Sequence, residues 1–205
     1  MVDLHAHTNR SDGTLSPNDL VDLAVRRGLR ALAITDHDCL SGYDAAAPYA
    51  SSQPIELICG IELSARFRGE TIHLLGYFLD SAPTPEFRDH LPCLKKSRRM
   101  RNERLAEKLA SLGLEVTLEE AESLGAGQTG RPHFAQLLIN KGYVADAREA
   151  FRRYLEESAA AFVPRREPTV QNALLWIRRA GGISSWAHPA RMIDRSDATA
   201  IDLLS

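Results

Sequence analysis

Met1-Val2-Asp3-Leu4-His5-Ala6-His7-Thr8, followed at once by Ser11-Asp12-Gly13, decides how the rest of the chain is read. A short apolar run carries histidines at i and i+2. In a strand alternate residues leave the same face, so both imidazoles point one way. A single histidine in a strand is ordinarily a hydrogen-bonded core or surface residue. A pair on one face is a candidate metal site, because imidazole is a favoured ligand of zinc, manganese and iron.

Downstream, Ser16-Pro17-Asn18-Asp19 opens a helix, with Ser16 as N-cap, Pro17 at the first helical position and Asp19 at the positive dipole end. Leu20, Leu23 and Ala24 supply its apolar face and Gly28 its stop. Arg30 to Thr35 reads as a buried strand ending in Asp36-His37-Asp38. Strand, helix and strand in this order are the signature of a right-handed crossover and a parallel sheet. A second helix fits Gly42 to Ser51, and Ile55 to Leu63 and Thr71 to Phe78 read as two more strands. Glu62 lies near the end of the first and His73 inside the second. In α/β sheets the site gathers at the carboxyl ends of the strands, where His5, His7, His37 and Glu62 fall on this reading.

From Pro83 the character changes. Residues 85–112 form a long helical pattern rich in basic groups, interrupted only by Pro92. Thr117-Leu118-Glu119-Glu120 is a capping-box pattern for a short helix, Pro132 starts another, and Asp146 to Glu157 fits a further one. Residues 82–166 are therefore expected to be a helical insertion. The strand and helix alternation then resumes with a helix from Thr169 to Arg179, whose Leu175 and Trp176 read as core. Ile183 to Ala187 is a strand leading into His188-Pro189.

Composition narrows the function classes. The chain has 205 residues, 44% of them hydrophobic and 25% charged, which suits one globular domain, or one with an insertion. The net charge of −2 excludes a broadly basic surface, so a long duplex nucleic acid is not an expected partner. Cys39, Cys59 and Cys93 are odd in number and show no C-x-x-C spacing, which argues for reduced thiols and a cytoplasmic setting. No secretory pattern opens the chain, and no run reaches the roughly 18 apolar residues of a membrane span.

His5, His7, Asp12, His37, Glu62, His73 and His188 together offer more donors than one ion needs. Imidazoles mixed with bridging carboxylates suit zinc, manganese, iron(II) or magnesium. Arg98 and Arg101 share a helix face at i and i+3, and Arg131 begins another helix whose N-terminal amides favour an anion. Solvated helix charge is the plainer reading of those arginines. Asp36 and Asp38 either orient His37 and other ligands or cap the following turn.

His5-Ala6-His7-Thr8 with Ser11-Asp12-Gly13, Thr35-Asp36-His37-Asp38, Gly60-Ile61-Glu62, Ile72-His73-Leu74-Leu75-Gly76-Tyr77 and Ala187-His188-Pro189 resemble, in order and spacing, the PHP superfamily of polymerases and histidinol phosphatases. The helical segment with Arg98, Arg101 and Gly130-Arg131-Pro132-His133-Phe134 resembles one bacterial group within it. These are the nucleoside 3',5'-bisphosphate phosphatases that also act as 5'-to-3' exoribonucleases, the ribonuclease AM group. The resemblance implies a distorted TIM-like (β/α)7 barrel, divided as residues 1–81, a helical lid at 82–166, and 167–205. It also implies two or three divalent metals (Mn, Fe, Zn or Mg) on His5, His7, Asp12, His37, Glu62, His73 and His188. Arg98, Arg101, Arg131 and His133 would bind substrate. The expected reaction is hydrolysis of nucleoside 3',5'-bisphosphates and of short 5'-phosphorylated RNA by water that the metals activate, without a protein nucleophile. No protein acid or base is singled out. Histidinol-phosphate phosphatase and a noncatalytic metal-binding module are the alternatives. Such proteins carry a final Asp-x-His pair, which this sequence lacks before Ser205, so the barrel is expected to be incomplete at its C-terminus.

Overall fold

The computed structural model describes residues 1–125 and 127–189. The expected incompleteness of the barrel turns on residues 190–205, which lie outside the described residues, as does that part of the expected third segment.

A single five-stranded sheet runs in the order β1 (Val2–Ala6), β2 (Ala31–Ile34), β3 (Glu56–Phe67), β4 (Glu70–Phe78), β5 (Ile183–Trp186). β1, β2 and β3 are parallel, as the crossover pattern requires. β3–β4 and β4–β5 are antiparallel. Thus the described residues form an α/β fold with a curled five-stranded half-barrel in place of seven strands, and the parallel register stops at β3. The cause is a two-residue hairpin. Arg68 and Gly69 both take positive φ, 47° and 89°, which is the geometry that matches strand twist in a tight turn. β3 therefore runs on to Phe67, beyond the Leu63 end expected from the apolar run, and sets Glu62 in mid-strand, five residues before the observed strand end.

The sheet curls strongly enough for its ends to meet. Tyr77 of β4 donates its hydroxyl to the Leu4 carbonyl of β1 at 2.8 Å, and the His5 and His188 rings lie 5.9 Å apart. Alternation then sorts the residues. On the convex side Ile61, Leu63, Ala65, Ile72 and Leu74 pack against α8 (Val170–Arg179) and Phe87 of α3 (Pro85–Arg88). Glu62, Ser64 and His73, at the intervening positions, belong to the concave side. β1 and β2 bury a second core against α1 (Pro17–Arg26) and α2 (Ser41–Ala50). Ser16 caps α1 as its sequence promises, accepting the Asp19 N–H at 3.2 Å, and Val21 and Ala24 form its buried stripe. In α8, Ala173 and Ile177 are the core; Leu175 is 40% exposed and Trp176 stacks on His90 at 3.9 Å.

The helical segment has its own core. α4 (Leu91–Ser111), α5 (Leu118–Ser123), α6 (Arg131–Asn140) and α7 (Ala147–Ala150), with the π-turn Phe151–Leu155, enclose Leu105, Leu109, Leu118, Phe134, Leu138 and Leu155. The long basic pattern is divided between α3 and α4 just before Pro92, which takes a first-turn position where its missing N–H costs nothing. The Thr117–Glu120 capping box forms in both directions.

Candidate metal centre

Glu62 is the hub, 1% exposed on the concave face of β3. Its Oε2 lies 3.0 Å from His5 Nε2, 2.9 Å from His7 Nε2 and 3.5 Å from His37 Nδ1. Its Oε1 lies 2.8 Å from His73 Nδ1 and 2.9 Å from His188 Nε2. Asp12 closes the ring, with Oδ1 3.1 Å from His7 Nδ1 and Oδ2 3.4 Å from His37 Nε2. All seven sequence-predicted ligands are therefore brought together, from β1, the loops after β1 and β2, β3, β4 and the segment after β5.

Local structure explains the convergence. His5 and His7 share a face of β1 and its extension. The turn after them is tight: a Cβ on Gly13 would sit 2.2 Å from the His7 carbonyl oxygen, so Asp12 is folded back beside His7. Buried Asp36 ties this turn down, accepting from the Thr8 N–H (2.8 Å) and from the Thr8 and Ser11 hydroxyls (2.7 and 2.6 Å). His37 is delivered by a parallel bridge to Glu62, and His188 by the hydrogen bond from Ala187 N–H to the His73 carbonyl. His188 takes φ 38°, a left-handed conformation that costs a non-glycine residue roughly 1–3 kcal/mol and persists where its surroundings enforce it.

The electrostatics are those of two carboxylates ringed by imidazoles. Burial acts to raise the Glu62 carboxyl, but hydrogen bonds from His188, His5, His7 and His73 hold it far below the usual carboxylate range. Burial also opposes ionisation of Asp12, and His37 and His7 overcome it in the same way. Burial acts to lower His7; Asp12 and Glu62 outweigh it and push the imidazolium up to about 10. For His73 burial wins over Glu62 and lowers the value.

The donor set fits divalent cations. The buried His37 Nδ1 has no hydrogen-bond partner among the described residues, and His5 Nε2 and His7 Nε2 face each other at 3.1 Å. Three overlapping triads present one ligand atom per residue within 4.8 Å of one another: His5, His7 and Glu62; His7, Asp12 and His37; His37, Glu62 and His73. Nitrogen and carboxylate oxygen in this mixture suit borderline and hard ions.

A cleft with a cavity volume of about 160 Å³ adjoins this rim and shares Asp12, His37 and His73 with it. Its other wall is basic: Arg66, Arg98, Arg101, Arg131 and Arg165. Arg98 and Arg101 are buried, at 8% and 6% exposure, so they are not solvated helix charge. Arg131 is half-buried and donates to the Leu155 carbonyl at 3.1 Å. His133 has a different place. Its Nδ1 accepts the Gly130 N–H at 3.1 Å, capping α6 behind the cleft wall.

Residues 3–165 match the family model for the PHP domain. The chain belongs to the PHP family. It is 37% identical to a 5'-3' exoribonuclease of Haemophilus influenzae, covering 92% of this chain and 69% of that protein. It is 33% identical to a 3',5'-nucleoside bisphosphate phosphatase of Chromobacterium violaceum, covering 93% and 67%. The chain thus spans about two thirds of the length of these PHP relatives. Among solved structures it resembles an amidohydrolase of C. violaceum with bound sulfate and no metal, at TM-score 0.86 and 33% identity over 93% of this chain and 67% of that one. It also resembles a structure from Bifidobacterium adolescentis described as a metal-dependent phosphoesterase, at TM-score 0.86 and 26% identity over 98% and 72%.

Two arginines of this PHP site escape a reading of sequence alone. Arg66 follows Glu62 and Ser64 at the same period of two, and becomes visible once β3 is known to reach Phe67. Arg165 lies in an irregular segment before α8, where no periodicity marks it.

Proposed function

We propose that this chain is the metal-bearing part of a phosphoesterase that hydrolyses nucleoside 3',5'-bisphosphates to the 5'-monophosphate and phosphate, and that removes nucleotides from the 5' end of short 5'-phosphorylated RNA. One observation carries this reading: the histidine–carboxylate rim opens directly into an arginine-lined cleft, so two phosphates of one small molecule can be held at once. Similarity to proteins named for both activities supports it.

In this proposal His5, His7, Asp12, His37, Glu62, His73 and His188 hold two or three divalent ions. Bound there, such ions lower the pKa of water and neutralise phosphoryl oxygens, which is the chemistry that attack on an anionic phosphate lacks. Glu62 and Asp12, kept ionised by their imidazoles, supply the negative charge that retains cations between them. Arg98, Arg101 and Arg131 bind the phosphate that is not cleaved, in forked geometry matched to its oxygens. His133 acts from behind, fixing the start of α6 and so the position of Arg131. In this proposal residues 82–166 form the lid that carries these groups over the rim, between a first barrel segment, 1–81, and a second that begins at residue 167.

The test is turnover with added manganese of a nucleoside 3',5'-bisphosphate against histidinol phosphate, which carries one phosphate and an ammonium group. The expected result is at least a 100-fold preference in kcat/KM for the bisphosphate. Equal or better turnover of histidinol phosphate defeats the reading. Loss of activity in His7→Ala must accompany it, since unchanged hydrolysis would place the chemistry elsewhere.

A further inference from the structure

Asp38 is fully buried and its Oδ2 is shared by two guanidinium groups, Arg98 Nη2 at 2.5 Å and Arg165 Nη2 at 2.7 Å. Its Oδ1 accepts the Ser64 N–H at 2.8 Å, and its own N–H donates to the Glu62 carbonyl at 3.0 Å. Asp38 holds this place at φ 51°, a left-handed conformation that aspartate tolerates better than most non-glycine residues. One carboxylate thus anchors α4 and the segment before α8 to the strand that carries Glu62. Arg165 Nε donates to Glu167 at 2.9 Å, but its Nη1 is buried without a hydrogen-bond partner among the described residues, and Arg165 lines the cleft.

The charges do not cancel. Arg101 has no carboxylate within 4.0 Å among the described residues; its Nε donates to Asn102 Oδ1 at 2.9 Å. Burial, then Arg98, Arg165 and Arg131, hold its pKa well below the ordinary value. Guanidinium does not give up its proton in proteins, so the imbalance is relieved by an anion rather than by deprotonation.

We propose that Arg165, which lines the cleft and has a buried Nη1 with no hydrogen-bond partner among the described residues, is a phosphate-binding residue, and that Asp38 is the positioning residue holding Arg165 and Arg98 in one forked receptor beside the metal rim. Asp38 therefore governs which substrates with two phosphates fit. This deepens the phosphoesterase reading and rests on it for the identity of the substrate.

The experiment compares a nucleoside 3',5'-bisphosphate with the nucleoside 3'-monophosphate, which lacks the second phosphate, in wild type, Arg165→Gln, Arg165→Lys and Asp38→Asn. In Arg165→Gln the ratio of kcat/KM values, bisphosphate over monophosphate, falls at least 30-fold, mainly through KM, and Arg165→Lys recovers part of it. In Asp38→Asn the ratio falls in the same direction. Binding of a nucleoside 5'-monophosphate to metal-free protein, by calorimetry, weakens at least tenfold in Arg165→Gln. Equal losses for both substrates with unchanged 5'-monophosphate binding mean that the Arg165–Asp38 pair is only a structural staple, and overturn the proposal. If Asp38→Asn does not fold, the two Arg165 variants still decide. Wild type that hydrolyses neither compound refutes the phosphoesterase reading, while the metal-free binding measurement still tests the receptor.

Discussion

The rim and the cleft use one device with opposite sign. At the rim a buried carboxylate, Glu62, is surrounded by five imidazoles, a donor set that fits cations. Bonded to two arginines of the cleft lining, the buried carboxylate of Asp38 is outnumbered by guanidinium groups, a set that fits anions. Both carboxylates are fully bonded, whereas the buried Arg165 Nη1 has no hydrogen-bond partner and Arg101 no carboxylate within 4.0 Å among the described residues, and an incompletely paired buried charge destabilises a fold unless a ligand completes it. The two regions lie side by side, sharing Asp12, His37 and His73. Under the proposed function a metal–phosphate complex would engage both at once.

That contrast can be broken most forcefully at its hub. Glu62→Gln removes the charge that all three candidate triads border. Phosphoesterase kcat/KM should then fall by more than about 100-fold, beyond the 10–100-fold typical of groups standing behind a ligand. Manganese content measured on the purified variant should fall with it, and a variant that keeps its metal would show that Glu62 is no ligand.

Chelation sharpens the rim's half of the comparison. Removing metal should lower the thermal midpoint, and manganese at about 100 times its Kd should restore about 2.7 kcal/mol per site. A midpoint indifferent to both treatments would mean that the imidazole–carboxylate network is complete without ions. For the cleft, Arg101→Met replaces an unpaired buried charge by an apolar chain of similar length. Stability of the metal-free protein should be unchanged or higher, by about 1 kcal/mol, while phosphate affinity drops. A destabilised variant in urea unfolding would reveal Arg101 as a structural group. Smallest of all, Thr117→Ala deletes one arm of the α5 capping box, far from both regions. It should cost about 1 kcal/mol and leave metal content untouched.

How much of this was legible depended on whether a residue's role rests on local pattern. β1, β2, α1 and the α5 capping box follow from short-range periodicity and capping chemistry, and form where expected. The seven candidate ligands were legible because each sits in a strand or in the loop that follows one. The β3–β4 hairpin was not, since Arg68 is an unusual occupant of a left-handed turn position. Ending β3 at Leu63 also hid Arg66. Arg165 had no pattern to betray it: its role comes from meeting Asp38 across 127 positions of chain. His133 was legible as important, but its hydrogen bond to the Gly130 N–H makes it a helix cap.

The Tyr77 hydroxyl on the Leu4 carbonyl has a mechanical meaning. It works as a bowstring, drawing one limb of a bent sheet toward the other and so setting the gap that His5 and His188 span. Curvature and donor spacing become a single adjustable quantity. A longer or absent string would relax the bow and spread the donors, with every side chain of the rim still in place.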